Sequence, residues 1–187
     1  MKVNLKDYDN SWYTPGAGSI KRALWYVTNA LLFDSWLCPF SGVKCGLLRI
    51  FGAKVGIGVV LKPRINIKYP WHLEIDDHVW LGEGVWIDNL AMVRLRSNVC
   101  LSQGARLFTG NHDYKDQKFG LIVGNIEIDQ GAWVGASAVI CSGVHVARSV
   151  VITVNSVLSG PTEVGGVYQG NPARRIRERC SSKTADS

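Results

Sequence analysis

The feature that most constrains this chain is a repeat with a period of six. Stepping by six from Ile128 gives Ile128, Val134, Ile140, Val146, Ile152 and Leu158, all aliphatic. Ile, Leu and Val supply 50 of the 187 residues. Six in succession would therefore arise by chance about 4 times in 10,000 for a given start. The position four further on is always small or β-branched: Ala132, Ala138, Val144, Val150, Ser156, Thr162. The same phase recurs as Ile75, Leu81, Ile87 and as Leu95, Leu101, Leu107. Further upstream it is read at Phe51 and Ile57, among Gly52, Gly56 and Gly58.

A period of six is neither helical nor simple strand alternation. It suits a short strand and a tight turn, repeated so that one aliphatic side chain per turn points inward. Three such sides close a triangular coil, and stacked coils bury a continuous column while pairing their backbones about 4.8 Å apart. The fold expected is an all-β parallel β-helix of nearly five coils, about 23 Å tall by that spacing.

The breaks in the repeat carry information too. From Ile87 to Leu95 the step is eight, so the chain bulges around Asp88, Asn89 and Leu90. From Leu107 to Ile128 the step is 21, three more than a full coil, and residues 112–125 are expected to leave the wall as an excursion. Pro63 to His72 reads as an irregular stretch interrupting the first coil. Loops ejected from a rigid solenoid are where function concentrates.

The expected organisation is an N-terminal helical cap (1–50), the β-helix (51–169) and a short C-terminal tail (170–187). Ser19 to Leu37 reads as helix, with Ser19 as cap and Ile20, Leu24, Val27 and Leu31 on one face packed against the open end of the solenoid. Trp25, Tyr26, Phe33 and Trp36, with Lys21 and Arg22, leave an interfacial membrane helix as the rival reading. The apolar stretch Ala23–Phe33 spans 11 residues, short of the roughly 18 that a membrane span needs. Met1–Asn10 has no apolar core of a signal peptide. The net charge of +6 is split into local patches, with no basic stripe of the kind nucleic acid requires. Cys38, Cys45, Cys100, Cys141 and Cys180 are odd in number and widely spaced, which fits a reducing cytoplasm and a packing role for each.

Several segments together are similar to a known family. The hexads, Thr109-Gly-Asn-His-Asp113, Gly131-Ala-Trp-Val-Gly-Ala136 and Gly170-Asn-Pro-Ala-Arg174 resemble the hexapeptide-repeat acyltransferases. Asp9–Tyr13, Lys68–Asn89 and Ser102–Ala105 narrow the likeness to the colanic-acid biosynthesis acetyltransferase group. The resemblance implies a left-handed β-helix, a homotrimer with sites between subunits, and acetyl transfer from acetyl-coenzyme A to a sugar hydroxyl. No metal is required by it.

A sugar hydroxyl needs a base to take its proton during attack on a thioester, and His112, at the root of the excursion, is the expected catalytic base. Asp113 is expected to orient the ring or hold the acceptor, with a backbone carbonyl as the other candidate for the ring. Asp88 and Asn89, one coil below, are expected to bind acceptor hydroxyls, against a turn-stabilising role. By position in the family, Trp133, Gly135 and Ala136 line the thiol end of coenzyme A and Val154 and Ser159 its middle. Arg174 and Arg177 meet its phosphates. His112 lies on the outer wall, so its removal should cost less than about 1 kcal/mol of stability.

The expected role is surface-polysaccharide O-acetylation in the cytoplasm, the acceptor being nucleotide-linked or lipid-linked. A non-catalytic scaffold or sugar-binding subunit is the alternative. A zinc carbonic anhydrase is a third reading, disfavoured because His72, His78 and His145 form no set with His112.

Overall fold

The period of six has a backbone cause. Three residues after Ile128, Val134, Ile140, Val146 and Ile152 stand Gly131, Ser137, Gly143, Ser149 and Asn155. All have positive φ, between 56° (Ser137) and 78° (Gly143). A left-handed residue turns the chain sharply, so two- or three-residue strands alternate with corners.

The computed structural model describes residues 3–179, so Cys180 lies outside the described residues. Coil one carries β1 (Lys54–Val55), β2 (Val60–Leu61) and β3 (Asn66–Ile67). Coil two carries β4 (Leu73–Ile75), β5 (Trp80–Leu81) and β6 (Trp86–Asp88), and coil three β7 (Val93–Leu95), β8 (Cys100–Leu101) and β9 (Arg106–Phe108). A hairpin of β10 (Gly110–His112) and β11 (Leu121–Val123) leaves the wall. Coil four follows with β12 (Ile126–Ile128), β13 (Trp133–Val134) and β14 (Val139–Ile140), and coil five with β15 (His145–Val146), β16 (Val151–Ile152) and β17 (Val157–Leu158). The first strand of every coil stacks in parallel as a first wall, the second strands as a second wall and the third strands as a third. β18 (Gly166–Gly170) extends the second wall, and β19 (Ala173–Glu178) pairs antiparallel with it. Within the segment read as a tail, Ala173–Glu178 is therefore a strand.

Between the walls runs the aliphatic column, from Leu61 and Ile67 through Leu81, Leu101 and Val134 to Ile152, all fully buried. The upstream phase needs correcting. Ile57 is 67% exposed, and coil one turns inward at Leu61 and Ile67 instead. A second eight-residue step, from Ile67 to Ile75, holds a single 3₁₀ turn at Pro70–His72 and shifts the register by two.

The walls differ outwardly. On the first, Lys54, Glu74, Arg94, Glu127 and His145 lie in register, one per coil, alternating in sign up to Glu127. Glu74 bonds Lys54 at 2.8 Å and Arg94 at 3.1 Å. Its carboxyl is held below the usual range, chiefly by the Lys54 hydrogen bond. On the second, the outward positions are Val60, Trp80, Cys100, Trp133 and Val151. Trp86, by contrast, stands on the third wall, edge-on to Phe108 at 5.3 Å.

Below coil one lie α1 (Ser19–Thr28), which runs on into a π turn at Asn29–Phe33, and α2 (Ser41–Ile50). Gly18, not Ser19, occupies the N-cap of α1. Trp25 is buried and donates its indole N–H to Ile67 O at 2.8 Å. Phe33, Cys45 and Leu48 complete the plug over the open end of the column. Lys44 is also fully buried, donating to Lys62 O at 2.9 Å. The face of α1 expected to pack, Ile20, Leu24, Val27 and Leu31, is exposed. Trp25 and, at the start of the π turn, Asn29 face the solenoid in its place, bonding the carbonyl and the amide of Ile67 in β3. No helix among the described residues is long and apolar enough to cross a membrane.

Candidate active site

The excursion is rooted by Thr109, which is fully buried. Its hydroxyl donates to Asp88 O at 3.1 Å and accepts from Ala91 N–H at 3.0 Å. Its carbonyl accepts from Ser142 Oγ at 2.7 Å and from Gly124 N–H at 2.9 Å. One buried residue thus ties the bulge of coil two to both strands of the hairpin.

Three residues on, His112 is half-buried and held in a defined tautomer. Its Nδ1 lies 2.9 Å from Phe119 O. A carbonyl only accepts, so Nδ1 carries the proton and Nε2 presents a lone pair. The ring stacks on Phe119 with centroids 4.3 Å apart and meets Tyr8 edge-on at 5.6 Å. No serine or cysteine side chain bonds the ring among the described residues. Asp113 does not orient it: its carboxylate accepts from Lys115 N–H at 2.9 Å, shaping the hairpin turn. Sequence reasoning missed Phe119, because a backbone carbonyl leaves no residue-type signal.

Asp88 and Asn89 separate in role. Asn89 is fully buried, and its amide accepts from Tyr69 N–H and donates to Tyr69 O and His72 O, at 2.7–3.0 Å. It braces the two stacked bulges, its two N–H groups both spent on backbone carbonyls and its side chain without solvent exposure, which is the turn-stabilising role in place of the acceptor-binding one. Asp88 stays accessible, paired with Lys68 at 2.9 Å. It lines a cavity of ≈ 480 Å³ between α1 and the third wall, with Arg22, Tyr26, Tyr69 and Trp86.

Across the second wall runs a larger groove of ≈ 640 Å³. Five of the seven expected donor-site residues converge there: Trp133, Gly135, Ala136, Val154 and Arg177. Trp133 donates its indole N–H to Ser102 Oγ at 2.8 Å. A side chain at Gly135 would put a Cβ 2.7 Å from Ile152 O, so the coil above can close down only on glycine. Arg177 arrives because β19 pairs it with Val167, itself a groove residue. Arg179 lines the same end, donating to Gly131 O at 2.8 Å. The other two expected residues lie elsewhere. Ser159 follows β17 on the third wall, and Arg174 sits opposite Gln169 at the far end of the β18–β19 pair.

No family model matches the chain. It is 32% identical over 168 residues to a protein named colanic acid biosynthesis acetyltransferase WcaF, of Escherichia coli K12, covering 90% of this chain and 92% of that one. The chain belongs to this acetyltransferase family. Its fold also matches a hexapeptide-repeat acetyltransferase of Vibrio cholerae O1 biovar eltor, solved with acetyl coenzyme A. The TM-score is 0.79 at 20% identity, over 89% of this chain and 92% of that one. A galactoside acetyltransferase in complex with coenzyme A matches with TM-score 0.71 at 20% identity, over 89% and 86%.

The groove occupies the second wall, and His112 stands where the third wall hands over to the first. Within one chain, one full wall of the prism separates His112 from the groove. Elsewhere, His145 bonds Asp129 at 2.9 Å, and no group of three metal-ligating side chains forms among the described residues.

Proposed function

We propose that this acetyltransferase moves an acetyl group from acetyl-coenzyme A to a sugar hydroxyl in surface-polysaccharide biosynthesis, in the cytoplasm where that donor is made. The observation that carries the reading is the tautomer of His112. With Nδ1–H given to Phe119 O, Nε2 takes the hydroxyl proton as the oxygen attacks the thioester carbonyl. The C–S bond then breaks, and the imidazolium returns the proton to the departing thiolate. The hydroxyl attacks directly. Burial raises the thiols of Cys100 and Cys141 above their ordinary range, which disfavours a thiolate nucleophile and an acyl-enzyme.

The groove suits a long, thin donor: its floor is apolar along Trp133 and Val154, and Arg177 and Arg179 stand at one end for phosphates. Asp88, in its aromatic-lined cavity, is the acceptor-side residue of this reading. The protein works as a homotrimer. A charged first wall favours water, whereas exposed Trp80 and Trp133 on the second favour burial against a neighbour. A cyclic trimer also closes the gap of one wall, by bringing the groove of one subunit to His112 of the next.

The test uses purified protein, acetyl-coenzyme A and a panel of nucleotide-linked and lipid-linked sugars, with release of free thiol followed. Sugar-dependent release that is lost in His112→Ala supports the reading. Thiol release that ignores every sugar, or that survives the substitution, contradicts it.

A further inference from the structure

The outward side of the two basal helices has no partner in the solenoid. On α1, Ile20, Leu24, Val27 and Leu31 recur at helical spacing on the side turned away from Trp25, and are 53–77% exposed. After the π turn, Trp36, Leu37 and Phe40 are at least 60% exposed. The π turn leads through the 34–40 loop into α2, which packs beside α1: Phe51 at the end of α2 meets Trp25 at 5.1 Å, and Lys44 of α2 lies over Phe33 at 5.8 Å. An amphipathic helix normally spends its apolar face on the core; here that face is left over after the core is closed.

The charge of this region decides among occupants. Residues 14–73 contain eight Lys and Arg against Asp34 alone, a balance of +7. The whole chain carries +6, so the remainder is close to neutral. Lys21, Arg22, Arg49, Lys62 and Arg64 make no carboxylate pair among the described residues. A second copy of this chain would bring like charge or a near-neutral solenoid against that concentration of positive charge, whereas an anionic lipid surface complements both it and the apolar face. The aromatic content fits as well: Trp36 and Phe40 are exposed after the π turn, as residues are at the headgroup boundary. α1 and its π turn cover 15 residues, about 22 Å, enough to lie flat in the interface.

We propose that the basal face, built on α1 and the 34–40 loop, docks this protein peripherally on an anionic membrane surface. Taken with the acetyl-transfer reading, on which this clause rests, docking favours lipid-linked over nucleotide-linked acceptors.

The experiment is flotation of the full-length protein with extruded vesicles of phosphatidylcholine, alone or with about 30 mol% phosphatidylglycerol, at low and high salt. Expected is flotation with the anionic vesicles, at least tenfold above that with phosphatidylcholine alone and largely lost in high salt. Leu24→Ser with Leu31→Ser should cut it about tenfold, and so should Lys62→Gln with Arg64→Gln. Both variants should keep the sedimentation coefficient of the parent. Absence of flotation with anionic vesicles at low salt overturns the proposal, as does a serine variant that floats like the parent. A serine variant that falls apart into smaller species also overturns it, because the face is then an interface between copies. None of these readouts depends on catalysis, so docking and acetyl transfer can fail separately.

Discussion

Replacing His112 by alanine removes the accepting Nε2, the bond from Nδ1–H to Phe119 O at 2.9 Å and a ring stacked 4.3 Å from Phe119. Loss of a general base lowers kcat on the order of 10²–10⁴, or about 3–5 kcal/mol of barrier. The stability cost is larger than position on the outer wall alone suggests. One hydrogen bond at about 1 kcal/mol and one aromatic pair at about 1 kcal/mol give about 2 kcal/mol. That cost is confined to the hairpin, because His112 contributes nothing to the aliphatic column. Global unfolding by urea should therefore lose no more than about 2 kcal/mol, while amides of 110–123 exchange faster. Phe119→Leu is the control: it removes the stacking but keeps the carbonyl, and kcat should fall by less than about tenfold. The assay is single-turnover acetyl transfer, with donor Kd by calorimetry, which should not change. His112→Ala retaining more than about a third of kcat, with chemistry rate-limiting, would take the base role away from His112. So would Phe119→Leu costing as much as His112→Ala.

Thr109→Val keeps the shape but deletes both hydroxyl bonds and strands the Ala91 N–H. A loss of about 2 kcal/mol by urea denaturation is expected, with kcat falling more than KM changes and Thr109→Ser restoring both. Arg177→Ala should weaken acetyl-coenzyme A about tenfold, or about 1.4 kcal/mol, by calorimetry; unchanged affinity would remove it from the donor site. Burial holds the Lys44 ammonium below its ordinary pKa. Between that lowered value and the usual value near 10.4, the unfolded chain binds more protons than the folded one, so stability rises with pH. In Lys44→Met this rise should disappear from urea titrations across that window; identical slopes in the two proteins would contradict it.

How much of this was legible in the sequence depends on what each signal encodes. From Ile75 onward the aliphatic phase locates the column residue by residue, because one side chain per corner must point inward. The phase fails upstream, since the two extra residues at Pro70–His72 sit among polar and aromatic residues that carry no hexad mark. Helical spacing showed that α1 has an apolar face but could not say what covers it. The contacts of Trp25 and Asn29 with β3 decide that, and they arise only in three dimensions. At the candidate site, the place of His112 at the root of the excursion was readable from the break in the repeat, whereas Trp133, Gly135, Ala136 and Val154 came from the family resemblance, and the structure brings these four to one groove. The carbonyl of Phe119, the full use of the Asn89 amide, and the choice of Arg177 over Arg174 follow from hydrogen bonding and strand register. None of these has a signature in residue type.

On the proposed reading, base and donor groove, one wall apart in a single chain, form a working site only between subunits. Mixing two inactive variants checks this. His112→Ala lacks the base, and Ala136→Trp blocks the groove that Ala136 lines; each alone should be inactive yet trimeric by sedimentation. When the two are unfolded together one-to-one and refolded, random assembly pairs an intact His112 with a neighbour's intact groove at about one site in four. Recovery of about a quarter of parental activity is the result predicted. No recovery, in mixed trimers verified by differential tagging, would show that each site draws base and groove from the same chain.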